Sequence, residues 1–247
     1  MMDAETLMYY YKNVVQKEEN NNDELGLITN PNAQKGGILL VGMNPSGTGQ
    51  EIYKYLDCHD GFWESKHTMM GAYNHKCGFI DLLPVRGGDQ NLIIERIKTD
   101  ENYRRYCGKL LAFTRDYVEL LQPRLIIIAN RGAWFFWGVV NKWKWMGYTF
   151  NNEFASPWEG NRVCGYWSLS QICGIEPTGV NRNSTTTNLV GTYILMYRQH
   201  ECKGGTVPPE RELRFEHIQT IARFIDPEWE KTLYCFYQTS TSNKVVP

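Results

Sequence analysis

Apolar and polar positions along this chain fall into two periods. Four near-continuous apolar runs read as buried strands: "GILLVG" over 37–42, "CGFIDLLPV" over 77–85, "RLIIIAN" over 124–130 and "TYILMYRQH" over 192–200. Runs that are apolar at nearly every position suit a parallel sheet covered on both faces. Between them the pattern changes to a helical repeat. Residues 3–17 bring Leu7, Tyr11, Val14 and Val15 near one face of a helix. The stretch "NLIIERIKTDENYRRYCGKLLAFTRDYVELL" over 91–121 holds one or two helices, and Pro123 ends them. "RGAWFFWGVVNKW" over 131–143 opens another, and "PERELRFEHIQTIARFI" over 209–225 is the last, with Pro209 near its start.

This alternation predicts an α/β fold, a three-layer α/β/α sandwich with a central, mainly parallel four-stranded sheet, in one domain over residues 1–247. The segment 144–191 breaks the alternation. It is rich in Gly, Asn, Thr and aromatic residues and reads as an insertion with a hairpin. The tail over 238–247 reads as mobile. Sheets of this kind bind ligands outside the carboxyl ends of their strands. Asn44, Asp81, Asn130 and His200 fall at or near those ends.

Composition narrows the function classes. Hydrophobic residues make up 42% of the 247 positions and charged residues 21%, enough apolar content for a sizeable core. A formal net charge of −1 excludes a chain whose affinity for nucleic acid is driven by overall charge, and leaves a local basic face open. No apolar run approaches the roughly 20 residues of a membrane span. The N-terminus has no charged region followed by an apolar one. The seven cysteines are odd in number and form no CxxC pair, so they read as reduced thiols in a cytoplasmic protein, or a nuclear one in a eukaryote.

The densest chemistry lies in "GGILLVGMNPSGTGQ", residues 36–50. A buried strand delivers Asn44 to a turn in which Gly42 and Gly47 permit close approach of a ligand. Pro45 suits the first position of a helix, whose free N–H groups would face an anion or a polar base edge. A phosphate loop needs Lys followed by Ser or Thr after the glycines. Here Gly49-Gln50 stands instead, so nucleotide hydrolysis is not expected. No dinucleotide-binding glycine pattern is present either.

The stretch "ILLVGMNPSG" resembles the first motif of the uracil-DNA glycosylase superfamily, closest to the Gly-Met-Asn-Pro form of its single-strand-selective monofunctional branch. Three further stretches follow in the family's order. "GFIDLLPVRGGDQN" resembles its second strand, "LLQPRLIIIANRGAWFFWG" its third strand and following helix, and "YILMYRQHECKGG" the strand that carries its second motif. The resemblance covers patches of residues 36–140 and 190–225. It implies a fold of the uracil-DNA-glycosylase type. The implied reaction is hydrolysis of the N-glycosidic bond of uracil, or another deaminated or damaged base, flipped out of single- or double-stranded DNA. No metal or organic cofactor is implied.

By the same resemblance Asn44 positions the attacking water, and His200 stabilises the base as it leaves. Gly42, Met43, Pro45, Ser46 and Gly47 cradle the flipped nucleotide, with Asp81, Asn130 and Phe62 around it. Arg86, Arg131 and Lys203, beside strand exits, are candidates for the DNA backbone. Three positions depart from the family pattern. Glu201-Cys202 follows His200 where the family has Pro-Ser. Ser46 stands where the uracil-specific branch has a bulky Tyr, which implies a roomier pocket or a different base.

Each of these residues also has a bland reading. His200 fits a hydrogen-bonded structural histidine, and Asp81 fits a cap on the next element. Phe62 and Trp63 either stack on a base or belong to the core. A non-catalytic member of the same fold, binding nucleic acid or a nucleotide, is the alternative. A third possibility lies in 58–77, where Cys58, His59, His67, His75 and Cys77 are crowded together, although their spacing matches no standard zinc pattern.

Overall fold

The computed structural model describes residues 3–30, 32–45, 49–59, 61–128, 131–137, 145–151, 167–178, 186–197 and 212–234. Eight strands fall within them: β1 (Leu27–Thr29), β2 (Ile38–Gly42), β3 (Ile52–Lys54), β4 (Gly78–Asp81), β5 (Leu125–Ile128), β6 (Tyr148–Asn151), β7 (Trp167–Ile175) and β8 (Tyr193–Tyr197). The α-helices are α1 (Ala4–Tyr10), α2 (Gly61–Met70), α3 (Gln90–Thr99), α4 (Glu101–Leu121), α5 (Arg131–Phe136), α6 (Phe215–Ile225) and α7 (Pro227–Tyr234).

The central sheet has six strands in the order β4-β2-β5-β8-β7-β6. The four strands expected from the apolar runs are its parallel half, paired β4 to β2, β2 to β5 and β5 to β8. The expected sheet of four is corrected by the 144–191 segment. Its hairpin is part of the sheet: β7 runs antiparallel to β8, and β6 antiparallel to β7. In β7 the buried Leu169 and Ile172 fall on opposite faces, one in each core, while Ser168 and Cys173 are exposed. A strand with so few buried positions carries little of the apolar signal of a strand covered on both faces. A separate two-stranded parallel sheet pairs β1 with β3.

Side chains of the parallel strands alternate strictly between two cores, as the pleat requires. Leu39, Val41, Ile80, Ile126, Ile128, Ile194 and Met196 pack on one side with α1, α3, α4 and α5. Ile38, Leu40, Phe79, Leu125, Ile127 and Leu195 pack on the other side with α2, α6 and α7. Helices therefore cover both faces. This is a mixed α/β fold with a mainly parallel central sheet.

The first helix begins where Asp3 caps Thr6 N–H at 2.8 Å, and it continues from α1 into a π-helical stretch, Tyr11–Gln16. The 91–121 pattern resolves into two helices. Asp89 caps α3 through Asn91 N–H, and Asp100 caps α4 through Tyr103 N–H. α4 ends on Gln122 in a left-handed conformation, directly before Pro123. No helix among the described residues is long and apolar enough to cross a membrane.

A candidate functional site at the carboxyl ends of β2 and β4

Numbered by their place in the chain, the four parallel strands lie in the order second, first, third, fourth. From β2 the chain moves outward to β4, then returns to the other side at β5, and β5 leads on to β8. The neighbours β2 and β5 thus send their connections in opposite directions. In open α/β sheets the crevice outside the carboxyl ends at such a switch holds the ligand. β2 leads into Asn44 at this edge, and β4 ends on Asp81.

The loop after β2 is stitched to the loop after β4. Leu82 N–H donates to Gly42 O at 3.2 Å, Leu83 N–H to Met43 O at 2.9 Å, and Gly87 N–H to Pro45 O at 3.1 Å. Met43 fixes the turn from below as part of the core. On the far side Tyr11 Oη lies 2.6 Å from Thr114 Oγ1, which donates to Leu82 O at 2.9 Å. The residue next to Asp81 is therefore held by α4 and the N-terminal helix together.

Asn44 is 7% exposed. Its Nδ2 lies 2.9 Å from Gly87 O, 3.3 Å from Val85 O and 3.2 Å from Pro45 O. Three carbonyls around one amide atom fix the orientation, since an oxygen in that place would face only acceptors. Oδ1 is left buried with no hydrogen-bond partner among the described residues. Buried polar atoms are nearly always paired, so an orphan of this kind calls for a ligand or a water.

Asp81 is 3% exposed, and its Oδ2 is a second such orphan. Burial raises its carboxyl from the ordinary range to about 7, and the Arg86 guanidinium opposes the rise. Asp81 sits opposite Gly42 in the β2–β4 register. A Cβ on Gly42 would overlap Asp81 Oδ1 and come within 3.3 Å of Phe79 Cζ. Glycine is required here for close approach rather than for an unusual backbone angle.

The Phe79 ring leads into an aromatic cluster. It stacks on Tyr55 at 5.6 Å and meets Trp63 edge-on at 4.8 Å. Trp63, one of the two stacking candidates from the sequence, is buried in this core. Phe62 lies in α2, and its side chain is outside the described residues.

Arg86 corrects the expectation of a DNA-backbone contact. Its side chain is 4% exposed and pairs with Glu24 at 3.2 Å. Its guanidinium donates to Leu25 O at 3.3 Å and to Gln50 O. It fastens the β1 approach and the segment before β3 to the site loop. The expected helix after Pro45 begins on residues 46–48, which lie outside the described residues. Among those described, the next regular element is β3, which pairs with β1, and the next α-helix starts at Gly61.

Ser46, Gly47, Asn130, His200 and Lys203 lie outside the described residues, as does the Arg131 side chain. β5 and β8, the strands that lead toward Asn130 and His200, end at the same edge as β2. Of the 58–77 residues, His59 and His67 meet edge to face with ring centroids 6.1 Å apart, and the others are held elsewhere. Cys77 is buried with its thiol pushed up to about 12, and its Sγ lies 3.4 Å from Gly78 O. Cys58 Sγ faces Lys54 O, and His67 Nε2 lies 3.1 Å from Tyr55 O. Among the described residues no three potential ligands gather around a metal position.

Sequence reasoning missed the clamp on Asn44. Its parts, Val85 and Gly87, are 41 and 43 residues away, and the only local sign is the Gly87-Gly88 pair after the second apolar run. Fold and site together define an α/β protein with a buried polar corner where β2 and β4 end. No protein-family model matches the sequence, and no curated protein matches it.

Proposed function

We propose that this chain is a divergent member of the uracil-DNA glycosylase superfamily, with the corresponding fold. In this reading it hydrolyses the N-glycosidic bond of uracil or another deaminated or damaged base flipped out of DNA. The observation that carries the reading is Asn44 Oδ1: buried, fixed in direction by the carbonyls of Val85 and Gly87, and without a hydrogen-bond partner among the described residues. An amide oxygen so placed accepts a hydrogen bond from a water and aims the water's lone pair. It cannot take the proton away as a base at neutral pH. The strand order adds support, since it puts Asn44 where such sheets bind ligands.

The reaction then runs as follows. The bond between C1′ and the base nitrogen breaks, and its electron pair leaves with the base. The water oxygen bonds to C1′, and the water's proton ends on the departing base. Because Asn44 carries no negative charge, the chemistry leans on stabilising the leaving base, the role His200 takes by resemblance. Base extrusion costs a few kcal/mol, least from a single strand.

The test is single-turnover base release. Single- and double-stranded oligonucleotides would carry uracil, 5-hydroxymethyluracil, hypoxanthine or xanthine. Release that disappears in Asn44→Ala is the expected result. No release from any of them at large enzyme excess would sink the reading. Glu201-Cys202 after His200 would then favour a non-catalytic, nucleic-acid- or nucleotide-binding member of the fold.

A further inference from the structure

Asn44 is held from two directions. Its side chain is fixed by the Val85 and Gly87 carbonyls. Its backbone lies at the end of a relay of hydrogen bonds that starts on the N-terminal helix. We infer that Tyr11 is a positioning residue for the Asn44 corner, acting through Thr114 and the Leu82–Leu83 peptide. Its effect on base release rests on the glycosylase reading, and the positioning itself does not.

The relay is continuous. Tyr11 Oη lies 2.6 Å from Thr114 Oγ1, which lies 2.9 Å from Leu82 O. Leu82 O belongs to the same peptide unit as Leu83 N–H, and that N–H donates to Met43 O at 2.9 Å. Met43 O in turn belongs to the peptide unit that carries Asn44 N. Peptide units are planar and rigid, so a pull on one end is felt at the other. Tyr11, Thr114, Leu82, Leu83 and Met43 are all buried.

Proton counting sets the direction of each bond. A carbonyl only accepts, so Thr114 commits its one hydroxyl proton to Leu82 O, and Tyr11 is the donor to Thr114. Burial keeps the Tyr11 proton in place, raising its hydroxyl well above the usual phenol value. Hydrogen bonds aligned in one direction polarise one another, most strongly in a dry interior.

Thr114 alone holds the loop less firmly. Its Oγ1 also lies 3.3 Å from Leu110 O, one turn back on α4. A helical threonine commonly bonds to that carbonyl. Donation from Tyr11 takes one lone pair of Thr114 Oγ1 and restricts where its proton can point. Without Tyr11 Oη the proton can turn to Leu110 O, and Leu82 O loses its partner.

Local structure at Tyr11 fits this role. It is the residue at which α1 widens into the π-helical stretch Tyr11–Gln16. Such stretches are rare and recur at functional sites. The same helix has a second tie near the corner, the pair of Lys12 with Glu51 before β3. That pair is partly open to solvent and contributes little. The buried relay is therefore the stronger link.

The experiment deletes one oxygen atom. Tyr11→Phe removes the first donor and keeps the ring in the core, while Thr114→Ser keeps the second hydroxyl. Tyr148→Phe is the control. It deletes a buried hydroxyl of the same kind, bonded to Glu119 at 2.8 Å, but on β6, at the opposite edge of the sheet from β4. Without DNA, two NMR readouts report the geometry. One is hydrogen exchange at Leu83 N–H relative to Ile127 N–H in β5, a ratio that global unfolding leaves unchanged. The other is the position of the Asn44 side-chain amide resonances. In Tyr11→Phe the ratio is expected to rise roughly fivefold and the Asn44 resonances to move. Both stay near wild type in Thr114→Ser and in Tyr148→Phe.

Single-turnover uracil release is then read at saturating enzyme. Tyr11→Phe is expected to slow the release step about tenfold at an unchanged half-saturating concentration, the signature of misplacement without lost binding. Thr114→Ser and Tyr148→Phe keep the wild-type rate. An unchanged exchange ratio with unmoved Asn44 resonances in Tyr11→Phe would overturn the inference whatever the reaction proves to be. Equal changes in Tyr148→Phe would also overturn it, marking a general loss of stability. Moved resonances with wild-type release would overturn the link to release. Moved resonances with no release from any of the proteins, wild type included, would sink the glycosylase reading and leave the positioning role standing.

Discussion

Two asparagines, each followed by proline and each ending a parallel strand, do different work in this molecule. Asn30 follows β1 and Asn44 follows β2, and both are buried. Asn30 is saturated: its Nδ2 donates to Asn74 O at 3.0 Å and Cys77 O at 2.8 Å, and its Oδ1 accepts from Asn32 N–H at 3.1 Å. Among the described residues Asn44 bonds through its Nδ2 alone and its Oδ1 has no partner. The first is a clasp between the β1 turn and the approach to β4. The second is half a clasp with one atom held back. Residue type, neighbours and burial do not separate them; the count of satisfied atoms does.

Substitutions can break this contrast or sharpen it. The largest effect is expected from Asn44→Ala, which should reduce base release by about 10²-fold or more, the usual weight of a positioned catalytic group. Its melting temperature should fall less than that of Asn30→Ala. A greater loss of stability than of release would make Asn44 a second clasp.

Gly42→Ala comes next. The new methyl group overlaps Asp81 Oδ1, and overpacking of this kind costs about 1–3 kcal/mol. Combining it with Asp81→Ala should recover part of that loss in a double-mutant cycle. Strict additivity would mean that the two residues do not meet.

Asn30→Ala should lower stability by about 1–3 kcal/mol, because it strips partners from buried carbonyls and an N–H. Release per folded molecule should stay at the wild-type rate when assayed well below the melting transition. A release defect in that variant would erase the difference between the two asparagines.

Arg86→Lys should show the smallest change, about 1 kcal/mol, as a forked donor is replaced by a point charge. The salt dependence of DNA binding should keep its slope, since the Arg86 side chain is buried and paired with Glu24. A slope reduced by about one would return Arg86 to the DNA-backbone set.

Much of the fold was legible. The strands at 38–42, 78–81, 125–128 and 193–197 lie inside the four apolar runs, because a strand covered on both faces must be apolar throughout. The aspartate caps and Pro123 mark the helix boundaries of 90–121 in the same direct way. β6 and β7 were harder to read, because their few buried residues, Tyr148, Leu169 and Ile172, are set among polar ones that are exposed or half-buried. α2 gave little signal: its buried positions include Trp63, Met69 and Met70, but also Lys66. Asn44 and Asp81 were legible as strand-end residues. Their unpartnered oxygens were not, since those depend on carbonyls from a loop that only the folded chain brings near.

The sequence by itself determined the layered α/β class, the four parallel strands, and the placing of Asn44 and Asp81 at strand ends. Local period and punctuation suffice for these, because burial on two faces and chain reversal act within a few residues. Tertiary structure alone decided that six of the described strands form the sheet and that Arg86 is a fastener. It also decided that Asn44 is held by Val85 and Gly87 while Asn30 is fully paired. These outcomes depend on which groups meet across tens of residues, and a hydrogen bond made or withheld at that distance leaves no local trace in the sequence.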